Sequence, residues 1–356
     1  MNIANKSDEK NIKVEFPLNV WYVAALSKEL TDKPLPRTLL NNPVVLYRTK
    51  EGKVNALEDR CCHRHLPLSM GIIEEKGLRC GYHGLLFDDA GKVIDVPGQD
   101  HLPPNACVKS YNVVEQDAIV WMWFGSEGNE IPTEDPPRYS FHTDSDYVFD
   151  GDVYKYQAPY QLIHDNLLDL SHLGYVHVHT IGGDAHTHMS AKLISETRGD
   201  SVFIKRYLPN STPPPTYLAA YNFKGKVDRW QELEFFASHI RIWTGAIDVD
   251  TDSLDNPERT GFHMRGLHGL TPETTETSHY FWTIATNPEN NIEEIKQKVV
   301  EQTRFTFDED KVVVEEQFKN MQKFGAQPSF DIHVDVGPNR ARRVIKKLIR
   351  TSNKSS

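Results

Sequence analysis

Two short loops constrain this chain more than anything else in it: RCCHRHLPLSMG, with Cys61 and His63, and RCGYHGLLFD, with Cys80 and His83. The first is a C-x-H pair, the second a C-x-x-H pair, and sixteen residues separate them. Each loop offers one thiolate and one imidazole, so any metal group they share must be bound by both turns at once. A zinc site also accepts two cysteines and two histidines, but zinc pairs usually set cysteine with cysteine and histidine with histidine. Here each loop is mixed. Two thiolates on one iron and two neutral imidazoles on the other is the ligand set of a two-iron, two-sulfur cluster of raised reduction potential. Gly71, Gly81 and Gly84 let backbone amides approach the cluster. Cys62 and Cys107 are left over and read as packing residues, and His65 as a surface or supporting histidine. Four cysteines in 356 residues are too few for a disulfide scaffold.

A second constellation lies in DNLLDLSHLGYVH, which supplies Asp169, His172 and His177. Asp169 and His172 are three apart and share a helix face. His177, five positions beyond His172, lies about 140° round an ideal helix, so both histidines reach one metal only if the helix breaks between them. Gly174 is the expected break. Two imidazoles and one carboxylate make the facial triad of oxygen-activating iron(II) proteins, with Asp169 then an acceptor beside the metal rather than a ligand. The third ligand is sought in FTFDEDKVVVEEQ. Extending the apolar row of a helix from Ile295 through Val299 and Thr306 reaches Asp310 and then Val313, and a carboxylate on a buried face calls for a neutralising cation. Asp308 and Glu309 compete for the same role.

Around these motifs the chain divides into a flexible tail over residues 1–15, an all-β part over 16–130 and an α+β part over 141–350, giving an α+β fold overall. VVLYR and VNALE flank TKEGK as a hairpin, and GLLFD and KVIDV flank DAGK as another. AIVWMWFG, apolar at every position, reads as a strand buried on both faces. Pro, Gly and acidic residues crowd 126–140, which is the expected boundary. Beyond it, extended segments and a helix from about Ile292 to Gln322 suggest one antiparallel sheet packed by helices. RARRVIKKLIR reads as an amphipathic helix with Val344, Ile345, Leu348 and Ile349 on one side. The formal charge of -10, from 40 Lys and Arg against 50 Asp and Glu, argues against a nucleic-acid partner. No apolar stretch reaches membrane-spanning length and the N-terminus is polar, so the sequence reads as cytoplasmic.

At these residues the sequence resembles the Rieske non-heme iron aromatic oxygenases, in particular the vanillate O-demethylase and dicamba monooxygenase branch. The likeness runs through NVWYVA at Asn19, both Cys/His loops, VPGQ at Val96, DNLLDLSHLGYVH at Asp165, LTPETTETSHYFW at Leu270, EDKVVVEEQ at Glu309 and RARRVI at Arg340. Cys62 and Gly81 stand where the family often has proline, and His65 where it often has glycine.

The resemblance implies a Rieske [2Fe-2S] domain followed by a helix-grip catalytic domain, assembled as a homotrimer. It implies Asp310 as the third ligand to a mononuclear Fe(II), and Asp169 as acceptor for His172 and for His83 of a neighbouring subunit. It also implies dioxygen and a small aromatic acid as substrates, with electrons drawn from NAD(P)H through a separate ferredoxin or flavin reductase. The expected reaction is hydroxylation or oxidative O-demethylation, with His268 as a further candidate polar group in the pocket. A ring-hydroxylating dioxygenase with the same metals, or a Rieske electron carrier without a mononuclear iron, are the competing readings.

Overall fold

The computed structural model describes residues 15–287, 292–325 and 330–353. The tail expected over residues 1–15 lies outside them but for Glu15. Among the described residues the first part of the chain forms three small antiparallel sheets. β1 (Val20–Leu26) pairs with β10 (Ile119–Phe124), which pairs with β9 (Val113–Gln116). β2 (Leu35–Leu39), β3 (Asn42–Arg48) and β4 (Val54–Glu58) form the second. β5 (Ile72–Glu74), β6 (Gly77–Arg79), β7 (Leu86–Phe87) and β8 (Val93–Asp95) form the third. Both expected hairpins are present, with Val44 opposite Glu58 and Leu86 opposite Asp95. β10 is buried along its whole length, as an unbroken apolar run requires, because one of its faces packs on Trp21 and Phe281 while the other meets the main core.

After a stretch without helix or strand over 125–139, the chain builds one seven-stranded antiparallel sheet. Its strands are β11 (Val148–Tyr156), β12 (Lys192–Arg198), β13 (Ser201–Ser211), β14 (Val227–Phe236), β15 (His239–Asp248), β16 (Phe262–Pro272) and β17 (Ser278–Thr286). β12 to β17 follow one another as a meander, and β11 closes the far edge beside β17. The helices are α1 (Tyr160–Leu168), α2 (Leu173–Val176), α3 (Ala185–Ser190), α4 (Pro215–Ala220), α5 (Ile292–Phe324) and α6 (Val336–Ser352). Phe307 of α5 packs edge-on against Trp282 of β17, 5.1 Å between ring centres. α6 buries Val344 and Ile345 and half-buries Leu348 and Ile349, the apolar side read from the sequence. No helix among the described residues is long and apolar enough to cross a membrane.

Two local expectations need correction. The buried row of α5 runs through Val299, Thr306 and Asp310 to Val314, 1% exposed, while Val313 is 43% exposed. The row steps forward by four residues after Asp310, not three. The helix break also lies earlier than Gly174. α1 ends at Leu168, Asp169 takes an extended backbone, and its carboxylate accepts from the Ser171 N–H, starting a new short turn. His172 and His177 then stand at the two ends of α2.

Gly174 is inside α2 for a different reason: a Cβ there would sit 2.3 Å from the Ala185 Cα. The first turn of α3 lies directly against it. Gly174→Ala is therefore expected to destabilise the protein by ~1–3 kcal/mol, because the clash is with backbone and cannot be relieved by a rotamer change. Thermal unfolding of the variant checks this; an unchanged midpoint would contradict the packing described.

Candidate active site

The two Cys/His loops repeat one backbone pattern. The Cys61 N–H donates to the Leu66 carbonyl and the Cys80 N–H to that of Leu85, while His65 and Gly84 each donate back to the carbonyl of the cysteine four positions before. Closing such a turn puts the fourth residue after the cysteine in the left-handed region, φ 60° at His65 and 76° at Gly84. Glycine takes that conformation freely and an L-residue does so at a cost of ~1 kcal/mol, so His65 is the costlier of two equivalent corners. Cys61 and Cys80 are buried beside each other, whereas His63 and His83 are exposed with rings 4.6 Å apart. The two thiols thus pair inward and the two imidazoles pair outward. Burial pushes the Cys61 thiol up, and the Cys80 beside it adds to the effect. A cation at this point is what would hold the pair as thiolates. Cys62 packs with the core beneath the loops, and Cys107 is exposed.

The second cluster gathers residues more than a hundred positions apart. His172, His177 and Asp310 present ligand atoms that all lie within 4.8 Å of one another. The Nε2 atoms of both histidines aim at one oxygen, Asp310 Oδ1, from 3.4 Å for His172 and 3.0 Å for His177. Cis ligands of an octahedral cation, each ~2.1 Å from it, are ~3 Å apart, so these spacings suit a metal between them. The far ring nitrogens are already committed. His172 Nδ1 donates to the Asp169 backbone carbonyl at 2.6 Å, and His177 Nδ1 to Glu309 Oε2 at 2.8 Å. Both imidazoles are therefore held with Nε2 toward the site, the arrangement that orients metal-binding histidines. Asn166 adds a donor to Asp310 Oδ1 at 2.9 Å.

Asp310 is 5% exposed. Burial alone would raise its carboxyl, but hydrogen bonds and charge from His172 and His177 outweigh that and hold it well below the usual carboxylate range. His177 is burdened by burial too, and its bonds to Asp310 and Glu309 leave it raised. A buried carboxylate that stays ionised between two imidazoles fits a divalent cation by both charge and donor type.

Of the competing acids, Asp308 is exposed beside Tyr154, and Glu309 orients His177 instead of reaching the site. Asp169 meets His172 through its backbone carbonyl, its carboxylate being used on Ser171. Sequence reasoning passed over Asn166 and the orienting role of Glu309. The first was visible only as a polar residue one turn before Asp169, the second only as the neighbour of Asp310.

A cavity opens on the triad between α1, α5 and the sheet. Its wall is mostly apolar, with Leu170, Ile242, Met264, Ile284 and Phe307 among its residues. His268, on β16, also lines it; its Nδ1 bonds the Tyr280 hydroxyl at 2.7 Å, and the two rings are nearly parallel. Burial pushes the His268 pKa down to about 3 against a smaller upward pull from Asp310, so it is a neutral imidazole at pH 7. Arg229, Gln231 and Thr244, none of them singled out from the sequence, supply further polar groups.

Residues 20–112 match the Rieske [2Fe-2S] domain family and residues 156–351 the vanillate O-demethylase oxygenase C-terminal domain family. The putative toluene-4-sulfonate monooxygenase system iron-sulfur subunit of Comamonas testosteroni is 35% identical over 345 residues, covering 94% of this chain and 97% of that protein. The dicamba O-demethylase oxygenase component of Stenotrophomonas maltophilia is 34% identical, covering 94% of this chain and 98% of its own. The crystal structure of dicamba monooxygenase bound to 3,6-dichlorosalicylic acid superposes with a TM-score of 0.84 at 32% identity, over 94% of this chain and 97% of that one.

Replacing Asp310 with Asn is expected to remove one iron per chain and leave the visible absorption of the cluster in place. Glu309→Gln should weaken iron binding ~10–100-fold, because it frees a ring the metal needs fixed. Metal analysis against a graded chelator reads both; unchanged iron retention in Asp310→Asn would contradict the ligand assignment.

Proposed function

Because this chain belongs to the Rieske non-heme iron oxygenases of the vanillate O-demethylase type, we propose that Cys61, His63, Cys80 and His83 hold its [2Fe-2S] cluster and that His172, His177 and Asp310 hold its mononuclear iron. The protein is an oxidoreductase, the oxygenase component of a multicomponent monooxygenase that acts on an aromatic substrate and draws electrons from a separate reductase or ferredoxin. In this reading residues 16–130 store charge and residues 141–350 carry out the oxygenation. The observation that carries the assignment is the convergence of two oriented Nε2 atoms on a buried, ionised carboxylate at the wall of an apolar cavity.

When bound, the cluster supplies stored electrons and the iron(II) activates dioxygen. The chain's own residues do the rest. Glu309 and the Asp169 carbonyl fix the tautomer of the two histidines, so each offers a lone pair at Nε2. Leu170, Met264 and Phe307 exclude water from the ring of the substrate. His268, neutral and tied to Tyr280, offers the substrate a hydrogen-bonding nitrogen without a charge. On a methoxylated aromatic acid, one oxygen atom enters a methyl C–H bond and the other leaves as water with two electrons and two protons. The hemiacetal then loses formaldehyde and leaves the phenol.

The assembly we infer is a homotrimer in which the exposed cluster histidines of one chain meet the Asp169 edge of the next. Tyr82, beside His83, and Tyr175, between the triad histidines, are 60% and 69% exposed and give the two edges apolar surface to bury against each other.

With a reductase, NADH and vanillate or a related methoxybenzoate, the holoenzyme is expected to release one formaldehyde per dioxygen consumed, and His268→Ala to raise KM several-fold. Formation of a ring cis-diol in place of formaldehyde would refute demethylation, and an unchanged KM would remove His268 from the pocket's chemistry.

A further inference from the structure

The cavity wall holds a cation that the metal chemistry does not use. Arg229 and Gln231 alternate onto one face of β14, with Thr244 of β15 directly opposite Gln231, and all three line the cavity. Arg229 is 3% exposed, yet among the described residues no carboxylate lies within 4.0 Å of its guanidinium. Among the described residues its Nη1 and Nη2 reach only the carbonyls of Gly182 at 3.4 Å and Ile181 at 3.1 Å, its guanidinium lies over Tyr217 at 5.2 Å, and its Nε has no partner. Of the other strongly buried arginines, Arg259 has a carboxylate partner. Arg206 has only neutral acceptors among the described residues but does not line the cavity, which leaves Arg229 as the buried guanidinium facing it without an anion. Arg259 pairs with Glu232 at 2.7 Å, and Arg206 donates to Gln231 Oε1 at 2.9 Å and to the His188 carbonyl. The bond from Arg206 also takes the carbonyl end of the Gln231 side chain, so what Gln231 has left for the cavity is its NH2 group.

Carbonyl dipoles do not neutralise a buried guanidinium, and nature seldom leaves one without an anion. Among the described residues the only carboxylate on the cavity wall is Asp310, already held between His172 and His177. We propose that Arg229, aided by the Gln231 amide, is the specificity-determining residue of this pocket and pairs with an anionic substituent on the aromatic ring, a carboxylate or a sulfonate. This rests on the oxygenase reading of the same cavity and adds to it the residue that selects the charge. A planar guanidinium presents paired N–H donors that suit either oxyanion, and burial makes each of those bonds count for more than at a surface.

Arg229 also pins the 181–182 backbone that follows His177, so a loss of activity on mutation would not separate the two roles. The ratio of anion to neutral affinity does. Titration calorimetry of the anaerobic holoenzyme with 3-methoxybenzoate and 4-toluenesulfonate, each against its uncharged amide, is expected to show the anion bound ~10–100-fold more tightly in the native protein. Arg229→Gln, which keeps a donor for the loop but no charge, should bring that ratio to about one with iron content retained, and Arg229→Lys should keep part of it. The two anions report which oxyanion shape the pocket prefers. Equal binding of acid and amide by the native protein overturns the proposal whether or not the variants fold, as does an anion preference that survives Arg229→Gln. Anion-selective binding with no probe-stimulated oxygen uptake would instead leave the anchor standing and count against the oxygenase reading.

Discussion

A carboxylate buried on a helix is the constraint from which the catalytic half of this protein follows. Asp310 lies 5% exposed on the inner face of α5, where an ionised group is strongly disfavoured without a compensating charge. Everything around it serves that compensation. Two imidazoles aim Nε2 at one of its oxygens, Asn166 donates to the same oxygen, and Glu309 and the Asp169 carbonyl hold the far sides of the rings. The long helix delivers the acid, the broken helix delivers the histidines, and the antiparallel sheet holds the two against each other. A cation at that point removes the penalty of burial, and the apolar cavity beside it gives that cation something to act on.

The N-terminal half solves the opposite problem, keeping a redox group anchored yet reachable. Its two loops repeat one turn, which buries both thiols and leaves both imidazoles at the surface. Were these residues to hold a [2Fe-2S] cluster, their imidazoles would be the side open to a partner. The strained corner at His65 occupies the position that Gly84 fills at no cost in the other loop.

Much of this was legible in the sequence because it is local. The two Cys/His loops are short, and their mixed pairing of cysteine and histidine has few chemical meanings. The buried row of α5 pointed to Asp310 from helical periodicity, though it was one residue out at Val314. The break was expected between His172 and His177, at Gly174, because glycine is the usual signal, whereas it falls before His172, where Asp169 caps Ser171, and Gly174 only makes room for Ala185. Arg229 and Gln231 could not be found that way. Their meaning depends on which face of β14 turns to the cavity and on the register that sets Gln231 opposite Thr244, and neither is written in the strand itself.

Mössbauer spectroscopy of the protein reconstituted with iron-57 tests the central claim most directly, since it counts irons by environment. With the cluster oxidised and the second site ferrous, two coupled ferric ions are expected for each isolated high-spin ferrous ion. Only the ferrous signal should change when an aromatic acid enters the cavity. A spectrum made of the coupled pair alone, or colourless protein carrying zinc at Cys61 and Cys80, would contradict it.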